Sequence, residues 1–280
     1  MREISTLAIV NAVRNLCIET NCCIGDDVMQ ALHSALASEQ TALGRDILGQ
    51  IIENDTIAAE QVEPICQDTG LAIVFVEIGQ DAHIVCGSLE EAIQEGVRQG
   101  YIDGYLRKSV VEDPLRRRNT GDNTPAIIHY QMVPGDRLVI TVIPKGAGSE
   151  NMSAVNMLSP SVGIEGVKQF IIDTVKKSGS NPCPPIIVGV GIGGTFEYAA
   201  LLAKKALLRP LTEKNNDKYY ADLEADLLQK INELMIGPQG FGGTVTALGV
   251  HIEVMACHIA SLPVAVNLNC HAARHKTIVL

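Results

Sequence analysis

The sequence predicts an α/β protein: one mixed-sheet domain over residues 1–280, with a helical N-terminal portion over about residues 1–60. Three observations carry that expectation. Apolar residues recur at three- and four-residue spacing through the first sixty positions. After Asp68-Thr69-Gly70 the pattern changes to short apolar runs bounded by turn residues. Beyond that point strand-like and helix-like stretches mix without regular alternation, which predicts a mixed sheet.

The elements follow in order. Ile9, Val13 and Leu16 mark a first helix, Met29, Leu32 and Leu36 a second, and Leu43, Ile47 and Ile51 a third. Leu71 to Ile78 and Ala82 to Cys86 read as strands. Ser88 with Glu91 forms a capping box that opens a helix through about Leu106. "AIIHYQMV" and "RLVITVIP" flank Pro134-Gly135-Asp136 and read as a hairpin. Lys145 to Asn151, "KGAGSEN", is a glycine-bearing polar loop. Helices are expected over Val162–Val175, Phe196–Leu208 and Tyr220–Met235. Strands are expected over Pro185–Val190, Leu248–Val254 and Leu262–Leu268.

Composition narrows the function. With 46% hydrophobic and 19% charged residues the chain can bury a core. A net charge of −10 repels phosphate backbones and argues against nucleic acid as a partner. Arg116-Arg117-Arg118, the one dense basic run, reads as a solvated loop. No apolar run is long enough to span a membrane. The N-terminal stretch "MREISTLAIVNAVRNL" reads as an amphipathic helix rather than a leader, so a cytoplasmic location is expected.

"IIVGVGIGGTFEYAALLAKKAL" places Gly189, Gly191 and Gly194 in a G-x-G-x-x-G pattern. A dinucleotide site would want an acidic residue ending the next strand, about twenty residues on. Leu208-Arg209-Pro210-Leu211 stands there instead. The glycines are better read as permitting a close backbone approach, or an anion at a helix start.

Eight cysteines in a cytoplasmic chain point to buried thiols or metal ligands rather than disulfides. Cys17, Cys86 and Cys257 lie in apolar contexts and read as core residues; Cys22 and Cys23 read as structural or incidental. Cys66, Cys183 and Cys270 differ. Each sits in a rigid or polar junction beside an apolar strand: "EPICQDTG", "SNPCPPIIVG" and "PVAVNLNCHAARHK". Singly, none favours a ligand over a core thiol. Together, three thiolates from distant parts of a chain suit a four-iron cluster that keeps one iron without a protein ligand, a Lewis acid for a carboxylate and a hydroxyl.

"CQDTG", "KGAGSEN", "NPCPPIIVGVGIGGT", "GPQGFGGTVTALGVHIE" and "HIASLPVAVNLNCHAARHK", in that order from Cys66 to Lys276, resemble the class I iron–sulfur fumarate hydratases and L-tartrate dehydratases, specifically their α subunit. The resemblance implies a 4Fe-4S cluster on Cys66, Cys183 and Cys270. It implies Asp68 and His258 as catalytic groups, and Gln67, Arg107 and the Gly146 backbone as substrate contacts. It further implies a small dicarboxylate substrate, most readily fumarate and L-malate with L-tartrate as the alternative, and a β subunit that completes the site in a heterotetramer of two α and two β chains. Ala147 interrupts the run of glycines that many relatives carry.

Each residue also has a plainer reading. Asp68 in Asp-Thr-Gly is turn chemistry. Arg107 is an ordinary helix-end cation. His258 could be a satisfied core histidine. His271, Arg274 and His275 would solvate the chain end or meet the partner. The rivals in function are a nicotinamide-dependent oxidoreductase built on the glycine motif and a zinc-stabilised binding subunit.

Overall fold

The computed structural model describes residues 2–280. In chain order the elements begin with β1 (Arg2–Ser5), α1 (Thr6–Cys22), α2 (Asp26–Ser38), α3 (Ala42–Gln61), β2 (Leu71–Gly79), β3 (Ala82–Val85) and α4 (Leu89–Asp103). There follow β4 (Ile127–Val133), β5 (Leu138–Lys145), the single turn α5 (Ala147–Glu150), β6 (Ala154–Leu158) and α6 (Gly163–Ser178). The chain finishes with β7 (Ile186–Gly193), α7 (Phe196–Ala206), α8 (Lys218–Asn232), β8 (Ala247–Met255), β9 (Leu262–Asn269) and β10 (Lys276–Val279). This is the expected α/β class, helical at its N-terminus. Strands β1, β6 and β10 and the turn α5 were not expected from the sequence; each is only four or five residues long, too short for a periodicity to register.

Two compact units form. The first contains the stretch up to Ile24, Asn54–Ala147 and Arg274–Leu280; the second contains Gly25–Glu53 and Gly148–Ala273. Both are discontinuous, so no linker composition marks their boundaries.

In the first unit a four-stranded sheet runs β10-β5-β2-β4. Strand β2 is buried on both faces from Ala72 to Val76 and takes the central place. It pairs parallel with β4 and antiparallel with β5. The hairpin expected around Pro134-Gly135-Asp136 is therefore corrected: β4 and β5 do not pair, because β2 lies between them. The turn instead wraps the end of β2, where the Gly79, Gln80 and Asp81 N–H groups donate to Arg137, Val133 and Gly135 carbonyls at 2.8–2.9 Å. Helices α1 and α4 cover this sheet through Ile9, Val13, Ile93 and Val97, packed on Val74, Val76, Ile140 and Val142. Ser88 caps α4 by accepting the Glu91 N–H, as the sequence predicts.

The second unit is a three-layer sandwich. Its sheet runs β6-β9-β7-β8. Helices α6 and α8 pack one face through Val167, Ile171, Leu227 and Ile231, against Val188, Val190, Val264 and Val266. Helix α7 packs the other face through Ala199 and Ala203, against Ala265. The alternation of β7 puts its valines toward α6 and α8 and its glycines toward α7. A methyl group on Gly189 would strike the Ala203 carbonyl, and one on Gly191 the Ala199 carbonyl. Gly189 and Gly191 of the G-x-G-x-x-G pattern thus serve close helix-on-strand approach, the first of the readings above.

Candidate functional site

The loop Cys66–Gly70 enters β2 and organises the first unit. Cys66 Sγ accepts the Asp68 N–H at 3.4 Å and lies 3.5 Å from Gln67 Oε1. The Asp68 carboxylate accepts from two directions. Its Oδ1 takes the Gly70 N–H at 3.0 Å, and its Oδ2 takes the Ala147 N–H at 2.9 Å. The turn after β5 is thereby fastened to the same loop, and a side chain on Gly146 would come within 3.2 Å of Asp68 Oδ2. Thr69 fastens a third segment: its hydroxyl accepts the Arg107 N–H at 2.9 Å and donates to the Arg107 carbonyl at 3.2 Å. The Arg107 side chain, well past the end of α4, is exposed. Gly70 adopts φ +75 with the Lys145 backbone so close that a Cβ would sit 2.7 Å from it, so this loop can meet β5 only as glycine.

Side chains also meet the loop's carbonyls one by one. Asn54 Nδ2 donates to Ile65 O at 3.1 Å, and Arg274 Nη2 donates to Asp68 O at 2.9 Å. The Tyr101 hydroxyl lies between Thr69 O and Gly70 O at 2.8 and 3.1 Å, and Asn123 Nδ2 reaches Gly70 O at 3.1 Å. The first unit thus brings together Cys66, Gln67, Asp68, Arg107 and Gly146, all singled out from the sequence. It adds Thr69, Tyr101, Asn123 and Arg274, which were not singled out as site residues. The reading of Arg274 as a solvating chain-end cation is corrected: it is only 5% exposed.

In the second unit Cys183 and Cys270 lie at one end of the sheet. Cys183 precedes β7, Cys270 follows β9, and these neighbours are antiparallel with Ile187 opposite Asn269. The His271 N–H donates to the Cys183 carbonyl at 3.3 Å, tying the two loops together. Cys183 holds φ +55, a left-handed backbone that costs a cysteine roughly 1–3 kcal/mol and exposes its thiol side. Pro184 O accepts from both the N–H and the side-chain amide of Gln239, at 2.8 and 3.0 Å, which fixes the exit of this loop. His258 is exposed in the β8–β9 connection, at the opposite end of the same sheet. The eight residues of β9 separate it from Cys270 by about 26 Å. The second unit does not bring His258 to its cysteines.

None of the eight cysteines forms a disulfide. Cys17 is fully buried, and burial pushes its thiol up to about 12, so it is inert at neutral pH. Cys86 and Cys257 are exposed, which corrects their reading as core residues. Cys86 turns out of the core at φ +71 as β3 ends, and Cys257 sits beyond the end of β8. The Arg116–Arg118 run is exposed, as a solvated loop should be. Among the described residues no group of three or more His, Cys, Asp or Glu side chains is gathered so as to hold a metal ion. Among the same residues no helix is long and apolar enough to cross a membrane.

A thiol, an amide, a carboxylate, an arginine and a glycine-bearing turn, all fixed to one strand-entry loop, define a class: an α/β enzyme-like scaffold with reactive side chains at the entry of a buried strand. The profile of the fumarate hydratase (Fumerase) family matches residues 10–279, and the chain belongs to that family. A Methanocaldococcus jannaschii protein, provisionally named an L(+)-tartrate dehydratase subunit alpha, is 48% identical over 256 residues, 89% of each chain. The L(+)-tartrate dehydratase subunit alpha of Escherichia coli O157:H7 is 35% identical over 91% of this chain and 85% of its own. Its counterpart in Escherichia coli K12 is 34% identical over the same shares.

Proposed function

We propose that this chain is the α subunit of an iron–sulfur hydro-lyase that adds water to, or removes it from, a four-carbon dicarboxylate. The observation that carries this is the Cys66–Gly70 loop, which fastens Arg107 and the Gly146–Ala147 turn to the segment bearing a thiol and a carboxylate. Cys66, Cys183 and Cys270 are the cluster's three ligands in this reading. The donor set fits: all three are cysteines outside any disulfide, in loops at strand ends, and Cys66 Sγ already accepts an N–H, as cluster-bound sulfur does. When bound, such a cluster supplies an open iron that acts as a Lewis acid toward a hydroxyl and a carboxylate.

The chain's own residues do the rest. Arg107 pairs a substrate carboxylate, a task for which its planar fork is suited. Gln67, exposed beside Cys66, donates or accepts at the substrate's polar edge. Asp68, held by two N–H groups, exchanges a proton with the substrate hydroxyl at a fixed position. Gly146 offers backbone where a side chain would crowd Asp68 Oδ2 at 3.2 Å. His258 receives no step at this site, given its place at the far end of the second unit's sheet.

Names of the relatives as α subunits support a separate second subunit supplying further cations, and two α and two β chains form the proposed assembly. Eight cysteines without a disulfide support a reducing, cytoplasmic location. For the substrate, the fumarate and L-malate pair is the first reading, consistent with the family's description. L-tartrate is the second, favoured by the relatives' names. The two substrates differ by one hydroxyl, and a site built to bond that group discriminates by up to about 10⁴–10⁵. An anaerobic assay of the cluster-loaded chain with its second subunit, against L-malate, fumarate and both tartrate enantiomers, tests the reading; no hydration or dehydration of any of them overturns it.

A further inference from the structure

Two buried charged residues in the first unit have no part in the chemistry above. Arg274 is 5% exposed and Asp55 is 1% exposed. Asp55 Oδ2 and Arg274 Nε find no hydrogen-bond partner among the described residues. The groups sense each other: burial pushes the Asp55 carboxyl up to about 6, while the Asn54 amide and the Arg274 charge pull against that rise. Asn54 and Asp55 are adjacent on α3. Asn54 Nδ2 donates to Asp55 Oδ1 at 3.2 Å and to Ile65 O at 3.1 Å. Arg274 Nη2 donates to Asp68 O at 2.9 Å. Two linked donors therefore grip the two ends of the segment Ile65–Asp68, with Cys66 between the grips.

We propose that Arg274, countered by Asp55, is a positioning residue that sets the conformation of the Cys66–Asp68 loop and so aims the Cys66 thiol and the Asp68 carboxylate. Burying a guanidinium is costly unless it is paired. A merely structural cation near the C-terminus could stay in solvent, as Lys276 does with Glu19. Arg274 is instead spent on one main-chain carbonyl, that of Asp68. Through this carbonyl it orients the peptide unit joining Asp68 to Thr69. The Asp68 side chain in turn holds the Gly70 and Ala147 N–H groups, so the grip extends to the Gly146 turn. The aim toward a cluster and a substrate rests on the reading under Proposed function; the grip on the loop does not.

The test is amide hydrogen exchange on the full chain, reduced and free of iron, for Arg274→Met, Arg274→Lys and the double variant Asp55→Asn/Arg274→Met. The amides of Asp68, Gly70 and Ala147 are compared with those of β7 in the second unit. Loss of the grip is expected to speed exchange at the three loop amides about tenfold or more, with β7 unchanged and partial rescue by lysine. The double variant removes the unpaired buried carboxylate, so its melting temperature should recover toward wild type while the loop amides stay fast. Unchanged loop exchange in Arg274→Met overturns the proposal. So does a double variant that regains both stability and slow loop exchange, since the pair would then be structural only. If Arg274→Met does not fold, the double and lysine variants decide in the same way. A second arm uses the cluster-loaded chain with its second subunit: Arg274→Lys should lower kcat about tenfold with little change in KM. Should the hydro-lyase reading be wrong, this arm is silent for the wild type also, while the exchange arm still decides.

Discussion

Asp68 holds a turn in place with the carboxylate proposed to move a proton. Replacing it with Asn keeps an acceptor for one N–H and removes the base. Asp68→Asn should lower kcat by about 10²–10⁴, with the iron content retained, in an anaerobic assay of the assembled enzyme. Retained turnover would remove Asp68 from the chemistry. The thiols divide in the same spirit. Cys66→Ser, Cys183→Ser and Cys270→Ser should each lose cluster iron and activity, measured by iron and acid-labile sulfide analysis. Cys17→Ser should keep the cluster but lose about 1–3 kcal/mol, because it buries a hydroxyl in the α1–α4 core. Cys86→Ser, at an exposed position, should change neither. The site was legible at this scale wherever reactive side chains crowd an apolar strand, as Cys66, Gln67 and Asp68 do before β2. Tyr101, Asn123 and Arg274 were not legible, because their partners are main-chain carbonyls far away in sequence, which leave no pattern among side chains. Cys86 and Cys257 were misread because apolar neighbours in sequence say nothing of where a strand ends.

Among the elements, the contact of α7 with β7 depends on the absence of side chains on one face of that strand. Gly191→Ala should cost about 1–3 kcal/mol in urea unfolding, since the methyl meets a helix carbonyl that cannot yield easily. A neutral change in stability would mean that α7 can lift off the sheet. The junction of α2 and α3 predicts a pH effect. Burial pushes the Glu39 carboxyl up, but N–H groups of Thr41, Thr244 and Val245 and the Thr41 hydroxyl overcome this and hold it at about 2, against an ordinary 4.5. A carboxyl lowered by folding adds stability that is full above its unfolded value and is lost as pH falls through the folded one. Wild-type stability should therefore drop between pH 5 and pH 2, by up to about 3 kcal/mol from this group, and Glu39→Gln should flatten that slope. The order of helices and strands was legible because their periodicities differ. The pairing of strands was not: Pro134-Gly135-Asp136 signals a turn, and only the insertion of a third strand, β2, decides that the turn spans a neighbour instead of closing a hairpin.

For the whole molecule, the proposal demands a partner and anaerobic handling. A dicarboxylate carries two charges, and Arg107 is the one cation that the Cys66–Gly70 loop fastens to itself through Thr69. The chain alone, with its cluster reconstituted, should turn over at under about 1% of the rate reached with the second subunit. Robust activity without that subunit would require every catalytic group to lie within these residues. Aeration should strip the iron that lacks a protein ligand and abolish activity, with ferrous iron and a thiol reductant restoring part of it.

The first unit is closed by Arg274–Leu280, while its other strands are complete by Ala147. A ribosome adding about 5–20 residues per second needs roughly 6–25 s to travel from one point to the other. During that interval the nascent chain has β2, β4 and β5 but neither the outer strand β10 nor the guanidinium that grips Asp68 O. With the proposed grip absent, the thiol loop would be loose until Arg274 has been made. On the proposed reading, a cofactor delivered to it on the nascent chain would meet its softest form, and Arg274–Leu280 would act as the latch.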